Sequence, residues 1–469
     1  MTGRGVRAIH WFRHDLRLED NTALAAAAAQ SDELLPVFLL DERRIGGGAE
    51  ALPRVRFLLD CVARLARDLE ARGSRLVVRR GEPVAELSRL LAETRADVVS
   101  FGRAHAPAGA RRDALARTAI ARAGARVIEC NDHVVFESSE VRTAGGRPFS
   151  VYSAYRRAWE RAYLRDPALP RPAPRLPPAP PGISTLSLPA PAAAPQRLPT
   201  GGAAAARRRL AAFLSGPVRD YAKLRDVPAE DGTSRLSPHL RFGTISARTC
   251  VWAAREHAAG DARAREGARR WLDELVWRDF YWAILAENPR VRTQSYRRDL
   301  ARMRWNDDED GLRAWCDGRT GYPIVDAGMR QLAQTGWMHN RLRMIVASFL
   351  TKDLLVDWRR GEQHFFRQLV DADPASNSGG WQWAASTGTD PQPYFRIFNP
   401  VSQGERFDRT GRFVRRFVPE LARVPDRFVH RPWESPSPPA DYPAPIVDHA
   451  ARRIAALQRF EAARGAARP

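Results

Sequence analysis

The chain holds only four cysteines in 469 residues, Cys61, Cys130, Cys250 and Cys316, far apart and without a CxxC pair. That argues against a disulfide-stapled secreted scaffold and the common structural zinc sites, and fits a reducing cytoplasm. Lysine is nearly missing, with Lys223 and Lys352 the only two. No apolar run approaches the length of a membrane span, so no membrane partner is expected. The opening "MTGRGVRAIHWFRHDLRLED" is too charged for a signal-peptide core. HExxH, a P-loop and a nucleophile elbow are also missing, which leaves hydrolytic chemistry without a candidate. The turn "RHDLRLED" lacks GxGxxG, so a standard dinucleotide site is not supported. Asn306, Asp308, Asp310 and Gly311, with Asp317 beyond, imitate a calcium loop. The first ligand is not Asp and the last is not Glu, so helix-start acids explain them better and no metal is expected.

What is present begins with charge. Lys+Arg 75 against Asp+Glu 54 leaves +21, an imbalance that favours a polyanionic partner. The length exceeds a single typical core, so at least two domains are expected. Through residues 6–130, apolar runs at 8–12, 34–40, 75–79, 97–101 and 125–130 alternate with helical patterns at 54–72, 83–94 and 110–123. Repeated β–α alternation predicts a Rossmann-like α/β domain with a parallel sheet over residues 1–135. Gly46–Gly48 reads as a loop. A proline-rich connector follows, 136–202 in all, whose stretch from Leu164 to Gly202 cannot pack a core. Beyond it strands vanish, and helical patterns at 203–215, 246–257, 268–287, 328–333 and 340–352 predict an all-α domain over 203–469. Ten of the 13 tryptophans fall there, between Trp252 and Trp383.

Three stretches carry candidate chemistry. In "RWLDELVWRDFYW", Trp271, Glu274, Trp277 and Arg278 share one side of a helix, a mixture suited neither to a core stripe nor to a solvent face. In "WMHNRLRM", Asn340 and Met344 are i,i+4 neighbours, as are His339 and Arg343. In "DGTSRLSPHLRFG", Thr233, Ser234 and Ser237 precede Pro238 at a helix start, which reads either as an anion site or as an ordinary N-cap. A fourth stretch, "ASNSGGWQWAASTGTD", sets Trp381 and Trp383 among small polar residues, where neither a plain core element nor an exposed loop would place them.

Together these motifs resemble the DNA photolyases and cryptochromes, and within them the class I cyclobutane pyrimidine dimer photolyases. The likeness runs from "WFRHDLRLEDN" through "GWMHNRLRMIVASFLTKDLL" to "DADPASNSGGWQWAASTGTDPQPYFRIFNP". It implies an α/β domain, a long linker and a helical domain holding FAD, whose excited reduced form splits a flipped-out dimer in UV-damaged DNA. Carried over by match, Tyr221, Thr233, Ser234, Arg235, Leu236 and Ser237 line the flavin phosphates and ribose. Trp271, Arg278, Arg343, Asp371, Ala372 and Asp373 complete that pocket, and Asn377 faces the flavin N5. Glu274, Trp277, Asn340, Met344 and Trp383 meet the dimer, with Arg225, Arg341 and Gln403 near the DNA strand. Trp381, Trp358 and Trp305 match the electron relay. Folate-binding members carry a carboxylate after the fourth strand, where this chain has Ala108 and Gly109. The antenna is therefore left open among folate, a deazaflavin, another flavin or none, with folate disfavoured. A cytoplasmic monomer acting on single- or double-stranded DNA is expected.

Overall fold

A computed structural model describes residues 5–45, 48–190, 196–389 and 396–465; Gly46 and Gly47 of the glycine run lie outside them. Strands β1 (Arg7–Phe12), β2 (Glu33–Leu40), β3 (Val77–Arg80), β4 (Val98–Gly102) and β5 (Arg126–Cys130) form one parallel sheet in the order β3-β2-β1-β4-β5. Helices cover both faces: α1 (Thr22–Ala28), α2 (Glu42–Ile45), α3 (Pro53–Glu70), α4 (Pro83–Thr94) and α5 (Pro107–Arg122). Alternate strand residues bury on opposite sides. Ile9, Val37, Val99 and Phe101 pack with α4 and α5, while Ala8, Phe12, Phe38 and Val98 pack with α1 and α3. Strands buried on both faces read as unbroken apolar runs, which is why β1, β2 and β4 were legible; β5 is only part-buried. Helix α1 was not, because "TALAAAA" carries no periodicity; an Asn21 cap on the Leu24 N–H starts it.

The expected connector is not uniform. Helix α6 (Tyr152–Arg165) lies inside it, and its Tyr155, Trp159 and Tyr163 join a core of the helical half. The proline-rich remainder is strapped to the α/β half rather than loose. Leu186 N–H donates to the Val78 carbonyl at 2.9 Å and Leu34 N–H to the Pro178 carbonyl at 3.1 Å, so the strap satisfies backbone groups at the sheet. A cavity of about 420 Å³ under the strap, lined by Phe57, Leu59, Leu188 and Leu198 among others, shares no residue with the candidate site.

The second half is helical: α7 (Ala203–Ser215), α8 (Pro217–Leu224), α9 (Ser237–Phe242), α10 (Ala247–Gly260), α11 (Arg265–Glu287), α12 (Glu309–Cys316), α13 (Pro323–Thr335), α14 (Asn340–Ser348), α15 (Trp358–Gln368), α16 (Pro374–Ala384), α17 (Pro400–Phe407), α18 (Arg412–Phe417) and α19 (His449–Gly465). Among the described residues the only strand-like pairing here is an isolated bridge from Asn306 to Val356. Asp308 caps α12 through the Gly311 N–H at 2.8 Å, and the described residues hold no metal-binding cluster.

Buried charge joins the halves. From α10, Arg248 reaches Asp132 at 2.9 Å, Asp20 at 3.2 Å and the Asn131 carbonyl at 2.7 Å. From the α/β half, Arg17 reaches back to the Gly243 carbonyl at 3.0 Å. Asp132 also accepts the Thr22 and Ala23 N–H groups at the start of α1, at 2.8 and 3.0 Å. Burial alone would raise the Asp132 carboxyl, but Arg17, Arg248 and the Thr22 hydrogen bonds outweigh it and hold the group below the ordinary range. A depressed carboxyl stabilises the fold above its unfolded pKa of roughly 3.9 and loses that contribution as pH falls through the folded value. Asp132→Asn should therefore cost about 3–5 kcal/mol in urea unfolding at pH 7. The gap from the unsubstituted protein should narrow as the titration is repeated below about pH 4.

Candidate active site

The polar aromatic stretch forms a helix, α16. Asp373 caps it, accepting from the Ala375 and Ser376 N–H groups at 3.0 and 2.8 Å, and Pro374 occupies the first turn. Those caps offset two mid-helix glycines, each costing about 1 kcal/mol relative to alanine. The glycines do different things. A Cβ on Gly379 would strike the Tyr281 ring, so α11 and α16 approach closely there, whereas a Cβ on Gly380 would meet open space. Trp381 is buried, its ring 5.0 Å from Phe365 and 5.9 Å from Trp315. Trp383 stays part-exposed.

Asn377 lies one turn before Gly380 and Trp381. Its Nδ2 donates to the Glu362 carboxylate at 2.9 Å and to the Glu362 carbonyl at 3.0 Å, and Arg292 holds that carboxylate at 2.8 Å. With Nδ2 spent, Oδ1 has no partner among the described residues and is the end left to accept a hydrogen bond. Nearby, Arg343 pairs with Asp371 at 2.8 Å through Oδ2, while the buried Oδ1 has no partner among the described residues. The Ala372 carbonyl accepts from Arg241 at 2.8 Å. The Asp373 Oδ2 accepts from Trp282 Nε1 at 3.2 Å.

The loop before α9 resolves the two readings of its hydroxyls. Helix α9 has no side-chain cap, so Thr233, Ser234 and Ser237 are not N-caps. Arg209 holds the loop through the Ser234 and Thr233 carbonyls, both at 2.8 Å, and leaves those two side-chain hydroxyls uncommitted. Arg235 adopts φ +47°, pairs with Asp231 at 3.0 Å and lies 5.0 Å over the Trp337 ring. The Ser237 hydroxyl accepts from Trp337 Nε1 at 3.3 Å, and Leu236 is buried. Tyr221 and Trp271 both pack on Phe213, at 5.6 and 5.0 Å, as core aromatics. Arg278 is turned to the α/β half, donating to the His133 carbonyl at 2.7 Å.

The remaining expected residues sit on α8, α11, α14 and α17. Arg225, at the end of α8, donates to Glu274 of α11 at 2.8 Å. Burial pushes the Glu274 carboxyl up, and Arg225 opposes it. Trp277 stacks face to face on Tyr152 at 3.6 Å and 6°. Asn340 is exposed at the start of α14, with Met344 part-exposed one turn on. Arg341 grips Asp226 with both ends, at 3.2 and 2.9 Å. The Gln403 Oε1 on α17 is buried without a partner among the described residues. Trp358 is buried and Trp305 part-exposed. Among the described residues no ring contact joins Trp381 to Trp358 or Trp358 to Trp305. Sequence reasoning missed Glu362, Arg292, Tyr152, Asp226 and Trp315. Glu362 could not be found that way, since "WRRGEQHFFRQ" reads as a solvated helix face.

A family model for DNA photolyase matches residues 8–177, and one for the FAD binding domain of DNA photolyase matches residues 271–462. A deoxyribodipyrimidine photo-lyase from Halobacterium salinarum is 43% identical over 97% of this chain and 99% of its own. The crystal structure of a class III photolyase from Agrobacterium tumefaciens superposes with a TM-score of 0.90 at 37% identity, covering 99% of both chains. An archaeal photolyase from Sulfolobus tokodaii, solved with two FAD molecules, superposes at 0.84 with 33% identity, covering 97% of this chain and all of its own.

The residues present fit a flavin dinucleotide. The Asp371 Oδ1 is a buried acceptor without a partner among the described residues, the part-exposed Thr233 and Ser234 hydroxyls and the Asn377 Oδ1 make no hydrogen bond among them, and a Cβ on Gly380 would meet open space. Gly379→Ala should destabilise the fold by about 1–3 kcal/mol through overpacking against Tyr281. Gly380→Ala should leave the melting temperature unchanged or higher, as expected from helix propensity, yet lower the ratio of flavin to protein absorbance in the purified protein.

Proposed function

The chain belongs to the DNA photolyase family, and from that premise we infer how its site works, as a FAD-dependent lyase that uses light to split cyclobutane pyrimidine dimers in DNA. The observation that carries the residue assignments is α16, which packs tightly through Gly379 and Trp381, holds Asn377 by its Nδ2 on Glu362 and leaves open space over Gly380. We assign Tyr221, Thr233, Ser234, Arg235, Leu236 and Ser237 to the phosphates and ribose. Trp271, Arg278, Arg343, Asp371, Ala372 and Asp373 form the rest of that pocket. Bound reduced FAD supplies, on absorbing blue light, the electron that opens the cyclobutane ring and afterwards recovers it. Asn377, held by Glu362, presents an acceptor toward the ring-nitrogen edge.

The protein's own task is to extract and hold the dimer. A dimer stacks poorly, so flipping it out costs less than flipping a normal base; the photolyases are themselves a standard example of that rule. Trp277, braced by Tyr152, and Trp383 are assigned as the apolar walls, with Met344 and Asn340 beside them. Glu274 accepts from an imide N–H and fixes the dimer's orientation. Arg341 and Gln403 are assigned to the DNA strand. Arg341 holds Asp226 through Nε and Nη2, and its Nη1 is the end assigned to a phosphate.

His339 bears on substrate choice. Its Nδ1 accepts from the Arg341 N–H at 3.1 Å as the cap of α14, and burial lowers its pKa to about 4. A neutral, capping imidazole is a poor proton donor, which supports cyclobutane dimers over (6-4) photoproducts. At the antenna position Ala108 is exposed, and a Cβ on Gly109 would crowd Ala104 at 2.7 Å, so neither supplies a carboxylate. That favours a deazaflavin, another flavin or no antenna over folate. Among the described residues no helix is long and apolar enough to cross a membrane. A cytoplasmic monomer is proposed, acting on single- or double-stranded DNA.

Purified protein under blue light should restore a cyclobutane-dimer oligonucleotide and leave its (6-4) counterpart unrepaired. The reverse selectivity would refute the assignment. For recharging we assign Trp381, Trp358 and part-exposed Trp305 as a relay to solvent donors. Trp305→Phe should bind FAD normally and lose most photoreduction with an external donor, while the chemically reduced variant still repairs dimers. Wild-type photoreduction in that variant would remove Trp305 from the relay.

A further inference from the structure

Arg225 was expected beside the DNA strand, yet its guanidinium is directed inward. Nη1 donates to Glu274 at 2.8 Å, and the guanidinium carbon lies 5.8 Å over the Tyr221 ring. The adjacent Asp226 does the opposite for Arg341, holding it at 2.9 Å. The end of α8 thus carries two neighbouring residues of opposite sign, each gripping a partner on another helix. We propose that Arg225 is a positioning residue for Glu274, keeping that carboxylate ionised and aimed at the dimer. The proposal rests on the reading of Glu274 as the dimer's hydrogen-bond partner.

The surroundings of Glu274 leave this duty to Arg225. On its own helix Asp273 adds negative charge, and from the end of α8 Asp226 does too. Arg156 of α6 is spent on Asp273 at 2.8 Å and on Glu160 at 2.6 Å, and Arg341 of α14 is spent on Asp226. The neighbouring phenols of Tyr221 and Tyr152 are held neutral, raised chiefly by burial. A phosphate that drew Arg225 away would strand Glu274 without its counter-charge, a costly exchange in a partly desolvated site.

The test measures affinity for undamaged and dimer-containing oligonucleotides across salt and pH. Arg225→Gln should move the acid limb of dimer affinity to higher pH. Arg341→Gln should instead lower the log–log salt slope on undamaged DNA by about 0.9 and leave the acid limb in place. Arg225→Lys, which keeps a cation within reach of Glu274, should restore the unsubstituted pH profile. An unmoved acid limb in Arg225→Gln would overturn the proposal. Glu274→Gln separates the two readings: its profile should be flat and insensitive to Arg225→Gln. If Glu274→Gln binds dimers with the unsubstituted affinity and profile, the Glu274 assignment fails and the proposal falls with it.

Discussion

Asp132 and Arg248 are charges that neither half of the molecule could bury alone. Asp132 follows the last strand and takes the first two N–H groups of α1, and Arg248 sits on a helix of the other half. Both are at most 8% exposed, so separating the halves would leave each charge short of partners. The contact therefore ties the halves together at this joint. It also explains "RHDLRLEDN", which spends Arg17 and Asp20 on holding the halves together and Asn21 on capping α1.

From that joint the constraint passes to the site. The segment after Asp132 donates its Val135 N–H to Asp279 of α11 at 3.1 Å, and burial lifts that carboxyl to about 6. Arg278, next along, takes the His133 carbonyl. Helix α11 is thus anchored to the α/β half through Arg278 and Asp279, which fixes Glu274 and Trp277 one turn and less before them. The same helix meets α16 at Gly379, where the absent Cβ lets Tyr281 pack against the backbone. A rigid frame of this kind holds polar groups at fixed positions without solvent to satisfy them, which is what a cofactor and an extruded base require.

Within that frame polar side chains work in pairs, and each pair decides which atom is left over. Glu362 takes the amide nitrogen of Asn377 and so exposes its oxygen. Arg343 takes one oxygen of Asp371 and strands the other. Asp226 occupies Arg341, and Arg225 occupies Glu274. The useful valences are those that the protein does not fill for itself. Leaving buried acceptors open costs stability, and a ligand that donates to them recovers it on binding.

By itself, the sequence determined the fold class and its parts. Apolar runs gave five parallel strands, 3.6-residue periodicity gave helices such as α7 and α11, and long motifs identified the family. Those signals are local, since each depends on neighbours within a few turns of chain. Helix α16 escaped because its cap, its close approach to Tyr281 and its polar burial have no periodic signature. The atoms that act were decided by tertiary structure alone. The bond from Arg248 to Asp132 spans 116 residues, that from Arg341 to Asp226 spans 115, and the Trp282–Asp373 bond spans 91. No pattern of spacing encodes such pairs, because a side chain's partner is set by how helices dock and by which buried charges must be neutralised.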